Sequence, residues 1–194
     1  VAAMHWSGRV LAVRVAGKCG ATVADIVDGM RWAAGLPVTG APANPNPARI
    51  ITVSFGGNAA CSPAYQDAID DLRAAGAVVV AAAGNEHGAV LRPANCEGAI
   101  GVGAVNRDGF KTTYSNFGPE LAITTVGGDP SSAGRWGPLL GDGGLLTLYN
   151  DGAQAPGAAA YAYVFGTSFS TPQVAGALAL MLAVRPTLTA AQLI

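Results

Sequence analysis

Gly76-Ala77-Val78-Val79-Val80-Ala81-Ala82-Ala83-Gly84 is the stretch that decides how this chain folds. Seven apolar residues stand in a row between two glycines. A strand with one face in water would alternate with polar residues, whereas an unbroken apolar run suits a strand covered on both faces. Strands of that kind belong to parallel sheets with helices above and below. The sequence on either side agrees. Pro63 opens a helical pattern to residue 74, with Ala68, Ile69 and Leu72 on its inner face and Gly76 beyond its end. Residues 49–54 (R-I-I-T-V-S) precede that helix as a second strand, ending at Gly56 and Gly57.

Working outward, Thr22 can cap a helix over residues 23–34, where Ile26, Val27, Met30 and Ala33/Ala34 recur at helical spacing and Gly35 closes the run. Residues 9–15 (R-V-L-A-V-R-V) have the β-branched enrichment of a strand, with Arg14 at its polar end. Pro37, Pro42, Pro45 and Pro47 make residues 36–48 an extended surface loop. Downstream, residues 99–105 and 121–126 are strand candidates. Residues 127–160 are rich in Gly, Pro and Ala and yield only a short strand at 145–149. A helix over 172–184 follows, its Ala175, Gly176 and Ala177 permitting close burial. Strand, helix, strand, helix, strand predicts an α/β fold with a mainly parallel sheet flanked by helices. Ligands of such sheets bind beyond the carboxyl ends of the strands, where Ser54-Phe55-Gly56-Gly57 and Gly84-Asn85-Glu86 both fall.

Bulk properties narrow the function. The 194 residues suffice for one domain with a sizeable core, and only 12% are charged. A net charge of −1 and the lack of a basic cluster give no case for nucleic acid. The most apolar run, residues 174–184, is shorter than the roughly 20 residues a bilayer requires, so no membrane partner is expected. The chain opens at Val1 without Met and stops at Ile194 just after a fresh helix start at 186–192, so both ends are expected to be cuts. Cys19, Cys61 and Cys96 are too scattered for a zinc site; two could form a disulfide, or all three could be thiols.

Gly166-Thr167-Ser168-Phe169-Ser170-Thr171-Pro172 carries the chemistry. It sets a serine between a Gly turn and a helix, where unpaired backbone N–H groups and the positive end of the dipole favour a developing oxyanion. Locally, Ser168 could equally be a helix cap, and Asn85 a turn residue after Gly84. A serine also needs a base to become nucleophilic. An α/β-hydrolase elbow, G-x-S-x-G, is excluded because Ser170 occupies the second Gly position and no His follows Ser168.

Taken together, these segments resemble the subtilisin-like serine proteases (subtilases). Residues 166–172 look like the family's nucleophile motif, with Phe169 in place of the more frequent Met. Ala81-Ala82-Ala83-Gly84-Asn85-Glu86 is similar to the strand end that supplies an oxyanion asparagine, and Ser54-Phe55-Gly56-Gly57 to the segment that pairs with substrate backbone. Tyr114-Ser115-Asn116-Phe117-Gly118 matches another recurrent segment. The resemblance implies a subtilisin-like three-layer fold, with residues 1–194 forming part of a peptidase domain. It implies Ser168 as nucleophile, with Asn85 and the Ser168 N–H holding the oxyanion. An extended polypeptide would lie along Ser54, Phe55, Gly56 and Gly57, the two glycines leaving room for it. Ala82, Ala83 and Gly84 would wall the pocket for the residue before the cut, and Thr167 would adjoin the substrate. Pro93 falls where many relatives carry a cis proline; an ordinary trans loop proline is the alternative.

Gly17-Lys18-Cys19-Gly20 and the later cysteines resemble secreted bacterial subtilases in particular, which implies secretion, a Cys61–Cys96 disulfide and an upstream partner for Cys19. Neither His5 nor His87 sits in a family histidine motif, and Asp25, Asp28, Asp67, Asp70 and Asp71 lie on helices. Both histidines are therefore expected at the surface, and the triad Asp and His upstream of Val1. The fragment is accordingly expected to be inactive alone. No cofactor or metal ligand set is identified; calcium is common in the family, but no carboxylate-rich loop matches a site. A monomer is expected. The alternative function is a catalytically silent module that only binds extended peptides.

Overall fold

The computed structural model describes residues 4–129 and 144–194. Along the chain the elements are α1 (Val23–Ala33), β1 (Ile50–Val53), α2 (Pro63–Ala74), β2 (Val78–Ala82), β3 (Ala99–Val105), β4 (Leu121–Val126), β5 (Leu145–Asn150), β6 (Ala159–Val164), α3 (Thr167–Val184) and α4 (Ala190–Leu193). Strands β1 to β4 form one parallel sheet in sequential order. Strand β2 is buried at every position, as its unbroken apolar run requires. Successive side chains of a strand point to opposite faces, so β2 feeds two cores. Val79 and Ala81 pack with Ile26, Met30, Ile69 and Leu72 of α1 and α2. Val78 and Val80 pack with Val174, Ala175 and Leu178 of α3 and with Ala190 and Leu193 of α4. The result is three layers, helix on sheet on helix.

Local signals explain most boundaries. Thr22 caps α1 in a reciprocal capping box with Asp25, and Pro63 occupies the first turn of α2. Helix α3 has the length and apolarity of a membrane span, but it lies against β1, β2, β3 and β4. Cys61 and Cys96 form a disulfide that ties the start of α2 to the loop before β3. Cys19 is an exposed thiol. The Arg92–Pro93 peptide bond is cis.

Three expectations fail. Residues 9–15 form no strand, because a strand needs a hydrogen-bonding neighbour and none lies beside them among the described residues. Val13 and Val15 instead lean on the core, and a cleft of about 1000 Å³ separates this segment from β1. Helix α3 starts at Thr167, five residues before the expected Pro172, which lies inside the helix. Side chains of the first turns hold it there: Ser170 Oγ donates to Thr125 O, and Gln173 Nε2 to Val126 O, docking the helix on the end of β4. Finally, β5 pairs with β6, a strand absent from the reading, in an antiparallel hairpin whose Leu146, Leu148, Tyr161 and Tyr163 are exposed. Residues 130–143 of the Gly-, Pro- and Ala-rich span lie outside the described residues.

Candidate active site

The carboxyl ends of β1, β2 and β4 and the N-terminus of α3 meet at one rim. Gly166 precedes the helix, and its N–H donates to Tyr114 Oη and to Gly127 O. This pins the turn to the end of β4. Thr167, fully buried, then reaches across to the end of β2: its hydroxyl accepts from Gly84 N (3.3 Å) and donates to Asn85 Oδ1 (3.0 Å). The Thr167 backbone N–H also donates to Asn85 Oδ1 at 2.9 Å.

Those two bonds orient Asn85. A backbone N–H can only donate, so the amide oxygen must face the helix and the NH₂ group must face away. Among the described residues that NH₂ group has no acceptor, and it lies 3.7 Å from where a Gly166 side chain would begin. Of the first N–H groups of α3, Thr167 N is taken by Asn85, and Phe169 N by Gly166 O. Ser168 N has no acceptor among the described residues. Two donors thus remain open beside the half-buried Ser168 hydroxyl, itself donating to Ser54 O at 2.7 Å. Negative charge placed there would also meet the positive end of an 18-residue helix.

No His, Asp or Glu side chain bonds to Ser168 among the described residues. His87 is exposed, with Nδ1 2.6 Å from Thr113 O and its ring edge-on to Phe117. Lys111 Nζ lies 3.2 Å from the same Nδ1; burial lowers the Lys111 pKa, and Asp129 opposes that shift. His5 is half-buried on the wall of the cleft beside β1, not at the open surface expected of it.

The expected substrate edge is packed against the loop that holds Arg92. Gly56 does not merely leave room for a ligand: a Cβ there would come within 2.3 Å of Arg92 O, so the glycine admits the Arg92 backbone, which accepts from Gly57 N. Only Gly57 of residues 54–57 makes a bridge, while Phe55 and Gly56 are exposed. On the facing side, Ala82 and Ala83 are buried, Ala83 completely and within the core. Gly84, which follows them, is half-buried. No three His, Cys, Asp or Glu side chains cluster among the described residues.

Fold and site together define a three-layer α/β protein with a serine hydroxyl at a helix N-terminus, beside an open carboxamide from a neighbouring strand end. The chain belongs to the subtilase family, whose model matches residues 2–193. It is 40% identical over 189 residues to an extracellular protease of Xanthomonas campestris, covering 96% of this chain and 30% of that protein. An extracellular basic protease of Dichelobacter nodosus is 34% identical over 184 residues, covering 94% and 28%. Among solved structures, a protease of Pseudoalteromonas arctica PAMC 21717 superposes with a TM-score of 0.88 at 39% identity, covering 98% of this chain and 55% of that one. A cold-adapted subtilisin-like serine proteinase gives 0.65 at 25% identity, covering 93% and 55%. The chain therefore spans under a third of those two curated relatives and about half of the two solved structures.

Proposed function

We propose that the protein carrying residues 1–194 is a secreted serine endopeptidase that cuts extended polypeptides. Ser168 Oγ gives its proton to a histidine as it attacks the scissile carbonyl; the C–N bond then breaks, and the amine leaves with that proton. The resulting acyl-enzyme is released by water. Asn85 Nδ2 and Ser168 N hold the oxyanion of each tetrahedral intermediate. The observation that supports this reading is the orientation of Asn85, whose oxygen is held by Thr167 so that its NH₂ group stays free to donate near the start of α3. Secretion follows from the two extracellular relatives and agrees with the Cys61–Cys96 disulfide.

The base comes from outside residues 1–194. Strand β1 pairs only with β2 among the described residues, and its other edge opens on the cleft bounded by residues 9–15. A further parallel strand in that slot would bring its carboxyl end toward Ser54, whose carbonyl accepts the Ser168 hydroxyl. An Asp at that end and a His beyond it would reach the serine. Residues 1–194 form part of one peptidase domain of a protein that works as a monomer, and are inactive alone. The test is hydrolysis of an unfolded polypeptide by the full-length protein, by Ser168→Ala, and by residues 1–194. Activity only in the first supports the reading. Peptide binding without cleavage by the full-length protein would make it a silent binding module.

A further inference from the structure

We infer that Asn116 is a positioning residue for the oxyanion donor Asn85; the inference rests on the endopeptidase reading above. Asn116 lies 30 residues after the loop it serves and is completely buried. Its side chain makes four hydrogen bonds, all to residues 83–88. Oδ1 accepts from Glu86 N and Gly88 N, both at 2.9 Å. Nδ2 donates to Ala83 O at 3.0 Å and to Glu86 Oε2 at 2.9 Å. A carboxamide offers two donor hydrogens and two acceptor lone pairs, so its full capacity closes on this one loop. The Asn116 backbone N–H adds a fifth bond, to Gly84 O.

The loop is the one that presents Asn85. Glu86 Oε2, held by Asn116, accepts from Asn85 N at 2.7 Å. Asn85 is thereby fixed from two sides: its side-chain oxygen by Thr167, its backbone N–H by Glu86 and, through Glu86, by Asn116. Gly84 shows how closely the parts fit. Its φ is +104°, and a Cβ there would stand 2.3 Å from Asn116 Nδ2. Asn85 itself is exposed, so no packing holds its backbone in place. An oxyanion donor acts through preorganisation, and a loop free to relax would lose rate while leaving substrate binding along residues 54–57 intact.

A double-mutant cycle in the full-length protein tests this. Asn116→Ala is expected to lower kcat about ten-fold with KM within about two-fold. That is less than the roughly 10²–10³ for outright loss of such a donor, a figure itself measured in a subtilisin, hence within this family. On an Asn85→Ala background, Asn116→Ala should cost nothing more, because the group it positions is gone. An equal loss on both backgrounds overturns the inference, since it would mark a general structural role. Should Asn116→Ala fail to fold, Glu86→Ala at the exposed end of the same tether takes its place, with a kcat loss that must also vanish on the Asn85→Ala background. Endopeptidase activity in the parent and none in Ser168→Ala keeps the underlying reading intact whichever way the cycle falls.

Discussion

Thr167→Val removes one hydroxyl at nearly constant shape, and the structure assigns that hydroxyl two jobs. It accepts from Gly84 N at 3.3 Å and donates to Asn85 Oδ1 at 3.0 Å. Losing the first leaves a half-buried N–H unpaired, at about 1–3 kcal/mol; the bond is long, so the lower half of that range applies. Losing the second removes one of two bonds to Asn85, about 1 kcal/mol, since Thr167 N still donates. The expected loss of stability is about 2–3 kcal/mol by urea denaturation of the full-length protein. Acylation by a fluorophosphonate should slow about five-fold, the equivalent of about 1 kcal/mol. Thr171→Val is the control: Thr171 is just as buried, on the same helix, but its hydroxyl only donates to Thr167 O. It should cost about 1 kcal/mol or less and leave acylation unchanged. Equal behaviour of the two variants in both assays would refute the reasoning.

Replacing Cys61 and Cys96 together by Ala should destabilise the protein by roughly 4 kcal/mol in the same denaturation assay, from the loop entropy of a 35-residue separation. Gly56→Ala should cost about 1–3 kcal/mol because its Cβ would overlap the rigid Arg92 carbonyl at 2.3 Å. Gly57→Ala should cost less, since its nearest neighbour, at 3.2 Å, is the flexible Arg92 side chain. Burial raises the Tyr65 phenol above its ordinary 10.0, with Arg92 opposing. The folded state therefore holds that proton more tightly, and the stability it contributes below pH 10 is lost as pH rises through the folded pKa. Denaturation midpoints measured from pH 9 to 11 should fall less steeply in Tyr65→Phe.

The parts of this fold written in local pattern were legible in the sequence. Thr22 and Asp25 announce α1, Pro63 announces α2, and the run around Val80 announces a strand covered on both sides. The limits of β3 and β4 follow from their apolar runs between turn residues. What failed depended on partners. Residues 9–15 have the composition of a strand, but composition supplies no neighbour to bond with. Pro172 looked like a helix start because proline favours the first turn, yet tertiary bonds from Ser170 and Gln173 set the start at Thr167. Strand β6 had a usable signal in Ala160-Tyr161-Ala162-Tyr163, whose alternation is the period of a strand. Within the site, Ser168 and Asn85 were visible as motifs. The grip of Asn116 on the Asn85 loop was not, because it closes across 30 residues and repeats no local pattern.

The proposed endopeptidase requires Ser168 to be a nucleophile served by a base from another segment of the same protein. Mass-spectrometric mapping of a fluorophosphonate adduct on the full-length protein tests it most directly. A single adduct on Ser168 is expected, absent from Ser168→Ala and from residues 1–194 alone. An unlabelled full-length protein, or an adduct on another serine such as Ser54 or Ser170, would contradict it.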